Sequence, residues 1–136
     1  MKSFITTFFF ILYMFSSALA KGGYRKGIGT AYSGPGQMNR TGKNACQFNP
    51  KRLSKKWNTL YAAMNERDFK KAGRPCGKCV KVKGKTGKTV YAKVVDICPK
   101  KYCKSGHVDF STVALKKITG YSWDRKPIKW KWSKCN

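Results

Sequence analysis

The chain has 136 residues, of which 30 are Lys or Arg and only 5 Asp or Glu, for a formal net charge of +25. That length has room for one domain and excludes a second of ordinary size. The charge favours contact with anionic polymers (acidic polysaccharide, membrane surface, nucleic acid), and the scarcity of acids makes each carboxylate a candidate for a placed role.

Residues 1–20 read as a signal peptide. Lys2 supplies the positive start, residues 4–15 are apolar except for Thr6 and Thr7, and Ala18-Leu19-Ala20 is a small-residue cleavage site. The apolar run is short for a membrane span and no second run follows, so the expectation is a secreted, extracellular chain without a membrane span. Residues 21–26 form a basic arm and residues 27–136 the domain. Secretion demotes nucleic acid as a specific partner. Lysine outnumbers arginine, which suits a diffuse field better than bidentate recognition.

Gly27 to Ser33 reads as a first strand, with Thr30 and Tyr32 on one face by alternation, and Gly34-Pro35-Gly36 ends it. Residues 37–56 are loop-like and contain Asn39-Arg40-Thr41, an N-glycosylation acceptor. Leu60 to Met64 reads as a strand, and Asn65 caps a short helix that Gly73 closes. Residues 79–83 and 89–95 make a hairpin around Gly84-Lys85-Thr86-Gly87, with one buried face and one lysine face. His107 to Phe110 is a short strand. Ser111 caps a helix through Ile118, ended by Gly120. Ile128, Trp130 and Trp132 alternate with Lys129, Lys131 and Ser133 in a last strand. About six short strands and two short helices indicate a mainly β fold, a small cross-linked barrel.

The six cysteines, Cys46, Cys76, Cys79, Cys98, Cys103 and Cys135, read as three disulfides in a secreted chain. Spacing leaves their pairing open. Cys76-x2-Cys79 and Cys98-x4-Cys103 superficially match a zinc ribbon, but the signal peptide and two further cysteines argue against it. Neither metal nor cofactor is expected.

Among the acids, Glu66 and Asp68 sit in the first turn of a short helix, where capping and the helix dipole explain them. Asp124 belongs to a Trp-Asp-Arg turn, bonded locally or paired with Arg125. Asp96, in Val94-Val95-Asp96-Ile97-Cys98-Pro99, and Asp109, in Gly106-His107-Val108-Asp109-Phe110-Ser111, remain as site candidates. His107 is the lone histidine and shares a face with Asp109 by alternation.

In this order, GTAYS, YAAMN with its helix, CGKC, VVDICP, GHVDFS and the closing IKWKW…C resemble the expansin-like, barwin-like double-psi β-barrels over about residues 27–135. The single-domain loosenins are similar in layout. Plant expansins carry a second, β-sandwich module, and only the barrel is expected here. The resemblance implies a six-stranded double-psi barrel stapled by Cys46–Cys76, Cys79–Cys135 and Cys98–Cys103. It also implies a polysaccharide groove lined by Thr30, Tyr32, Asp96 and Asp109, with Asp109 matching the general acid of family-45 endoglucanases. Trp123 is the candidate for stacking on sugar; Trp130 and Trp132 read as core.

An inverting glycosidase needs a second carboxylate as base. The endoglucanases carry it on the first-strand segment, and Gly29 to Ser33 has none. The expected activity is therefore binding and non-hydrolytic loosening of cell-wall polysaccharide by a monomer. Two alternatives stand beside it. One is a lytic transglycosylase or weak glycan hydrolase, with Asp109 as acid assisted by His107. The other is a secreted defence, inhibitor or effector protein on the same barrel.

Overall fold

A computed structural model describes residues 23–136; the signal-peptide segment and the start of the basic arm lie outside them. Six strands, β1 (Arg25–Ser33), β2 (Tyr61–Asn65), β3 (Cys79–Lys83), β4 (Thr89–Cys98), β5 (Val108–Ser111) and β6 (Lys126–Ser133), close into a barrel in the order β1-β5-β2-β4-β3-β6. β1 with β5 and β2 with β4 run parallel; the other neighbours are antiparallel. Closure leaves no unpaired strand edge.

Alternation sorts the side chains. Val80, Val82, Val90, Ala92, Val94, Val108, Phe110, Ile128 and Trp130 point inward and meet Leu115 and Ile118. These last two come from α3 (Thr112–Thr119), which Ser111 caps by accepting from the Ala114 N–H and Gly120 ends in the left-handed conformation at φ 86°. Trp130 is core, as expected, and Trp132 packs edge-on against it.

Among the described residues three α-helices form, not two. Besides α3 and α2 (Glu66–Lys71), residues Lys55–Thr59 make a one-turn helix, α1, in a stretch expected to be loop. Five residues are too few for a helical hydrophobic period to show. β1 also starts two residues earlier than its pattern indicated, inside the basic arm. Arg25 and Lys26 pair with Trp130 and Lys129 of β6.

Disulfides join Cys46 to Cys76, Cys79 to Cys135 and Cys98 to Cys103. All six cysteines are thus oxidised, which removes the zinc-ribbon alternative.

Asp68 is not only a helix-start charge. It is buried, ion-paired with Arg25, and accepts from Asn65 Nδ2 at 2.6 Å and from the Gly106 N–H at 2.7 Å. Asn65 in turn caps α2 and donates to the His107 carbonyl at 2.9 Å. Burial pushes the Asp68 carboxyl up, but the bonds from Arg25, Asn65 and Gly106 outweigh it and hold the group below the ordinary range. Such a group contributes stability above its unfolded pKa, near 4, which is lost as pH falls through the lower folded value. Asp68→Ala should cost about 2–4 kcal/mol in urea unfolding, because it orphans two buried donors. Asp68→Asn should flatten the loss of stability seen below about pH 4 in the parent protein.

Candidate functional site

On the outer face of four neighbouring strands, Thr30, Asp109, Ala63 and Asp96 fall in one row. Thr30 pairs with Asp109, Asp109 with Ala63 and Ala63 with Asp96. Two carboxylates therefore flank a single methyl group, and the floor between them is shallow. The two backbones are about 10 Å apart, two strand spacings.

Two register shifts build this row. The β2–β4 register runs from Ala62↔Val94 to Ala63↔Asp96 and skips Val95. Val94 faces the main core, while Val95 is buried on the other side with Met38 and Tyr61. Strict alternation would turn Asp96 inward with Val94. The bulge puts it outward and lets Ile97 pack on the core instead. In β1 the register skips Tyr32, between Ala31 and Ser33. Tyr32 leans on the buried Tyr61 ring, edge to face at 5.8 Å, and its hydroxyl is buried without a protein partner.

Thr30 Oγ1 donates to Asp109 Oδ1 at 2.6 Å and lies 2.9 Å from His107 Nε2. With Asp109 ionised, His107 must donate from Nε2 to Thr30. If an imidazolium Nε2 proton passes to Thr30 while the Thr30 proton passes to Oδ1, the result is a neutral imidazole and a carboxylic acid. The surroundings favour that outcome. Burial, and secondarily the Arg125 charge, lowers the His107 pKa. Burial raises Asp109; the Thr30 bond opposes this and the Asp96 charge adds to it.

Asp96 is fixed by backbone. Its Oδ1 accepts from the Ala45 N–H at 2.9 Å and the Ile97 N–H at 2.8 Å. Burial raises its pKa against those two bonds. The contact with Ala45 ties the 39–48 loop to the site, and the Cys46–Cys76 bridge anchors that loop. Asn39 is exposed in it, its Oδ1 accepting from the Asn44 backbone and side chain. Tyr32 is pushed far above the usual phenol range, first by burial and then by the charges of Asp96, Tyr61 and Asp109.

Tyr32, Ala63, Asp96 and Asp109 line a cavity of about 370 Å³ with Thr41, Lys43 and Tyr102, while Thr30 and His107 stand behind Asp109, outside the lining. Its lining does not include Trp123, which is exposed in its turn. The aromatic beside the two carboxylates is Tyr102, 67% exposed. No local pattern in the sequence marks it, because its position depends on the Cys98–Cys103 loop folding back. Both sulfurs of that bridge lie within 4.8 Å of an Asp109 carboxylate oxygen, so the bridge walls one side of the acid. Glu66 and Asp124 stand apart, on exposed ion pairs with Lys70 and Lys126; Asp124 accepts from the Arg125 backbone, and its ion pair is with Lys126.

No protein-family model matches this sequence, and no curated protein matches it at a significant level. Solved structures do. The expansin of Clavibacter michiganensis superposes with a TM-score of 0.64 at 26% identity, covering 83% of this chain and 52% of that one. This is an expansin-like double-psi β-barrel. The expansin-like chain spans about half the length of the Clavibacter protein. Two further structures share its fold. A Streptomyces papain inhibitor has a TM-score of 0.60 at 23% identity, covering 83% of this chain and 96% of the inhibitor. A family-45 endoglucanase solved with cellobiose has a TM-score of 0.58 at 18% identity, covering 85% of this chain and 84% of the enzyme.

Thr30→Val keeps the volume of the expansin-like site and deletes the hydroxyl between His107 and Asp109. The carboxyl carbon of Asp109, followed by NMR, should then titrate at higher pH than in the parent, because the bond that lowers its pKa is gone. An unchanged titration would show that Thr30 does not couple to it.

Proposed function

We propose that the chain is a secreted protein that binds cell-wall polysaccharide along the Thr30–Asp109–Ala63–Asp96 row and loosens it without hydrolysis. The observation that carries this reading is the row itself. With Tyr32 beside it, the row sets two carboxylates and the unpartnered Tyr32 hydroxyl around a methyl-floored depression, and the Thr30 hydroxyl braces Asp109 from behind. Sugar hydroxyls bond to such groups, and the flat floor admits a ring. Tyr102 supplies an aromatic face at one edge, and Trp123 supplies another beyond the cavity. Binding in the groove replaces contacts between neighbouring glycan chains. Proteins of similar structure point the same way: a Clavibacter expansin mutant was solved with cellohexaose and the endoglucanase with cellobiose. Residues 1–20 act as the signal peptide in this reading, and the three disulfides suit an oxidising, extracellular compartment.

β1 carries no carboxylate, so an inverting mechanism lacks its base on that strand. A second reading has a specific observation behind it. Asp109 has a raised pKa and a proton path through Thr30 to His107, the equipment of a general acid. Lytic cleavage without an external base would use the same three side chains.

The test pairs binding with product analysis. The purified chain should be retained on insoluble cellulose or another wall glycan at high salt. Tyr32→Phe should weaken that retention about 2- to 10-fold, the value of one hydrogen bond. No reducing ends or anhydro-sugars should accumulate from cellulose, chitin or peptidoglycan. Steady release of either product, lost in Asp109→Asn, would establish the lytic reading. Retention that vanishes with salt and ignores Tyr32 and Asp109 would remove the groove from both.

A further inference from the structure

The wall of the barrel opposite the groove is built from lysine. In the register of β6 with β3, Lys131 lies directly across from Lys81 and Lys129 across from Lys83. On its other side Lys129 faces Lys26 of β1. Five lysines therefore make two cross-strand rows, Lys26–Lys129–Lys83 and Lys131–Lys81. Like charges directly opposite one another destabilise a sheet, and a fold usually relieves them with an acid. None is present. The five acids of the chain are Glu66, Asp68, Asp96, Asp109 and Asp124, and the ion pairs among the described residues involve Arg25, Lys70 and Lys126.

The ladder is organised by tyrosines. The Tyr24 ring carries the ammoniums of both Lys83 and Lys131, at 5.2 and 4.9 Å from its centroid, and Tyr91 carries that of Lys81 at 5.7 Å. These contacts hold ammoniums from both rows over a common ring and limit the freedom of flexible stems. Where Lys26, Lys83 and Lys129 meet, a cleft of about 670 Å³ opens between β6 and the β3–β4 turn, with Lys85 and Lys126 on its rim.

We propose that this wall is a binding face for an acidic polysaccharide, a linear polymer with one carboxylate per sugar. The backbone positions of these lysines are spaced about 5 Å across the strands and about 7 Å along them, so a chain with a regularly repeated charge meets one lysine stem after another. An exposed ammonium gains little from a single anion in salt water. Several in series, releasing counterions together, gain much more. The occupant is a polyuronate rather than nucleic acid or membrane for three reasons on the wall itself. Its cations are lysine point charges, not the arginine forks that read base edges. The ring faces of Tyr24 and Tyr91 are taken by ammoniums and are not open to stacked bases. The exposed large apolar side chains, Tyr102, Tyr121 and Trp123, all lie off the β3 and β6 strands, so nothing there inserts into a bilayer. The face does not depend on the groove and stands if the groove binds nothing.

The test compares two variants of equal charge, both in the full domain. Lys81, Lys83, Lys129 and Lys131 are changed together to Gln in the face variant; Lys51, Lys55, Lys116 and Lys117 are changed in the control. With sodium polygalacturonate as probe, the face variant should bind at least 10-fold more weakly, with a shallower salt dependence. The control should stay within about 3-fold of the parent. Relief of the lysine repulsion should leave the melting temperature of the face variant at or above that of the parent. Chemical-shift changes in the unmutated protein on adding polygalacturonate should cluster in 79–83 and 126–133, which tests the site even if the variant misfolds. Equal losses in both variants, or shift changes spread over all lysines, would reduce the effect to net charge and overturn the proposal. Tighter binding of duplex DNA or phosphatidylserine vesicles than of polygalacturonate, at matched charge and lost in the face variant, would overturn the polyuronate assignment.

Discussion

The buried Asp68 carboxylate is the point from which the rest of the site is hung. It reaches three parts of the chain that share no sequence neighbourhood: Arg25 at the start of β1, Asn65 at the end of β2, and the Gly106 N–H just before β5. Burying one charge is costly unless it is paired and fully bonded, and here the bonds do more than compensate. The Gly106 carbonyl receives the Trp130 indole at 2.9 Å, so the inner wall is tied to the same loop. Gly27 is part of the same fit, since a Cβ there would sit 2.0 Å from the Gly106 oxygen. Once residues 104–107 are held in this way, His107 and Asp109 have one position relative to Thr30. The hydrogen-bonded line across the groove follows from it.

Much of this was legible in the sequence, and the reason is local. Alternation puts Thr30 beside Tyr32 and His107 beside Asp109. Asn65 and Ser111 announce their helices as caps, and the lysine face of the 79–95 hairpin shows directly as a period of two. What stayed hidden depends on register or on distant partners. Asp96 belongs to the outer face only because β4 slips past Val95, and a one-residue slip reverses every side chain beyond it. Tyr102 reaches the cavity because a disulfide folds its loop back. Asp68 looked like an ordinary helix-start acid because its partners lie 43 and 38 residues away. The opposition of Lys129 to both Lys83 and Lys26 needs the pairing of three strands, which alternation within one strand does not reveal.

The bulges and the barrel closure together divide the surface by chemistry. Next to Ala63 the outward positions of β1, β5 and β4 carry a hydroxyl and carboxylates, with Lys93 farther along β4 turned to Phe48 and Trp57; on β6 and β3 the outward positions carry lysine. β1 belongs to both walls, with Lys26 at one end and Thr30 and Tyr32 at the other. The carboxylates are thus kept away from the ladder that would otherwise neutralise them. Asp109 and Asp96 have raised pKa values because burial dominates at both, with the Asp96 charge adding to it at Asp109 alone, and no lysine ammonium among the described residues is hydrogen-bonded to either. Among the described residues the two site acids have no salt bridge, and this separation preserves their capacity to accept or give a proton at the groove.

That separation also bears on what the groove does. A carboxyl that is part-buried, raised in pKa and joined through Thr30 to a histidine of lowered pKa is held toward its protonated form. In that state it donates to a sugar oxygen; ionised, it accepts from a sugar hydroxyl. Both are binding interactions, and only the first is also the opening step of bond cleavage. Cleavage by inversion needs a base across the sugar ring, where β1 offers Thr30 and Tyr32. The Tyr32 phenol is pushed so far up that it stays protonated and donates. In the proposed reading the groove presents one donor on the β1 side, the Tyr32 hydroxyl, since the Thr30 proton is committed to Asp109, and a convertible acid on the β5 side. If the groove takes a glycan as proposed, the arrangement suits gripping it at several hydroxyls, and Asp109 is the carboxyl with a proton path through Thr30 to His107.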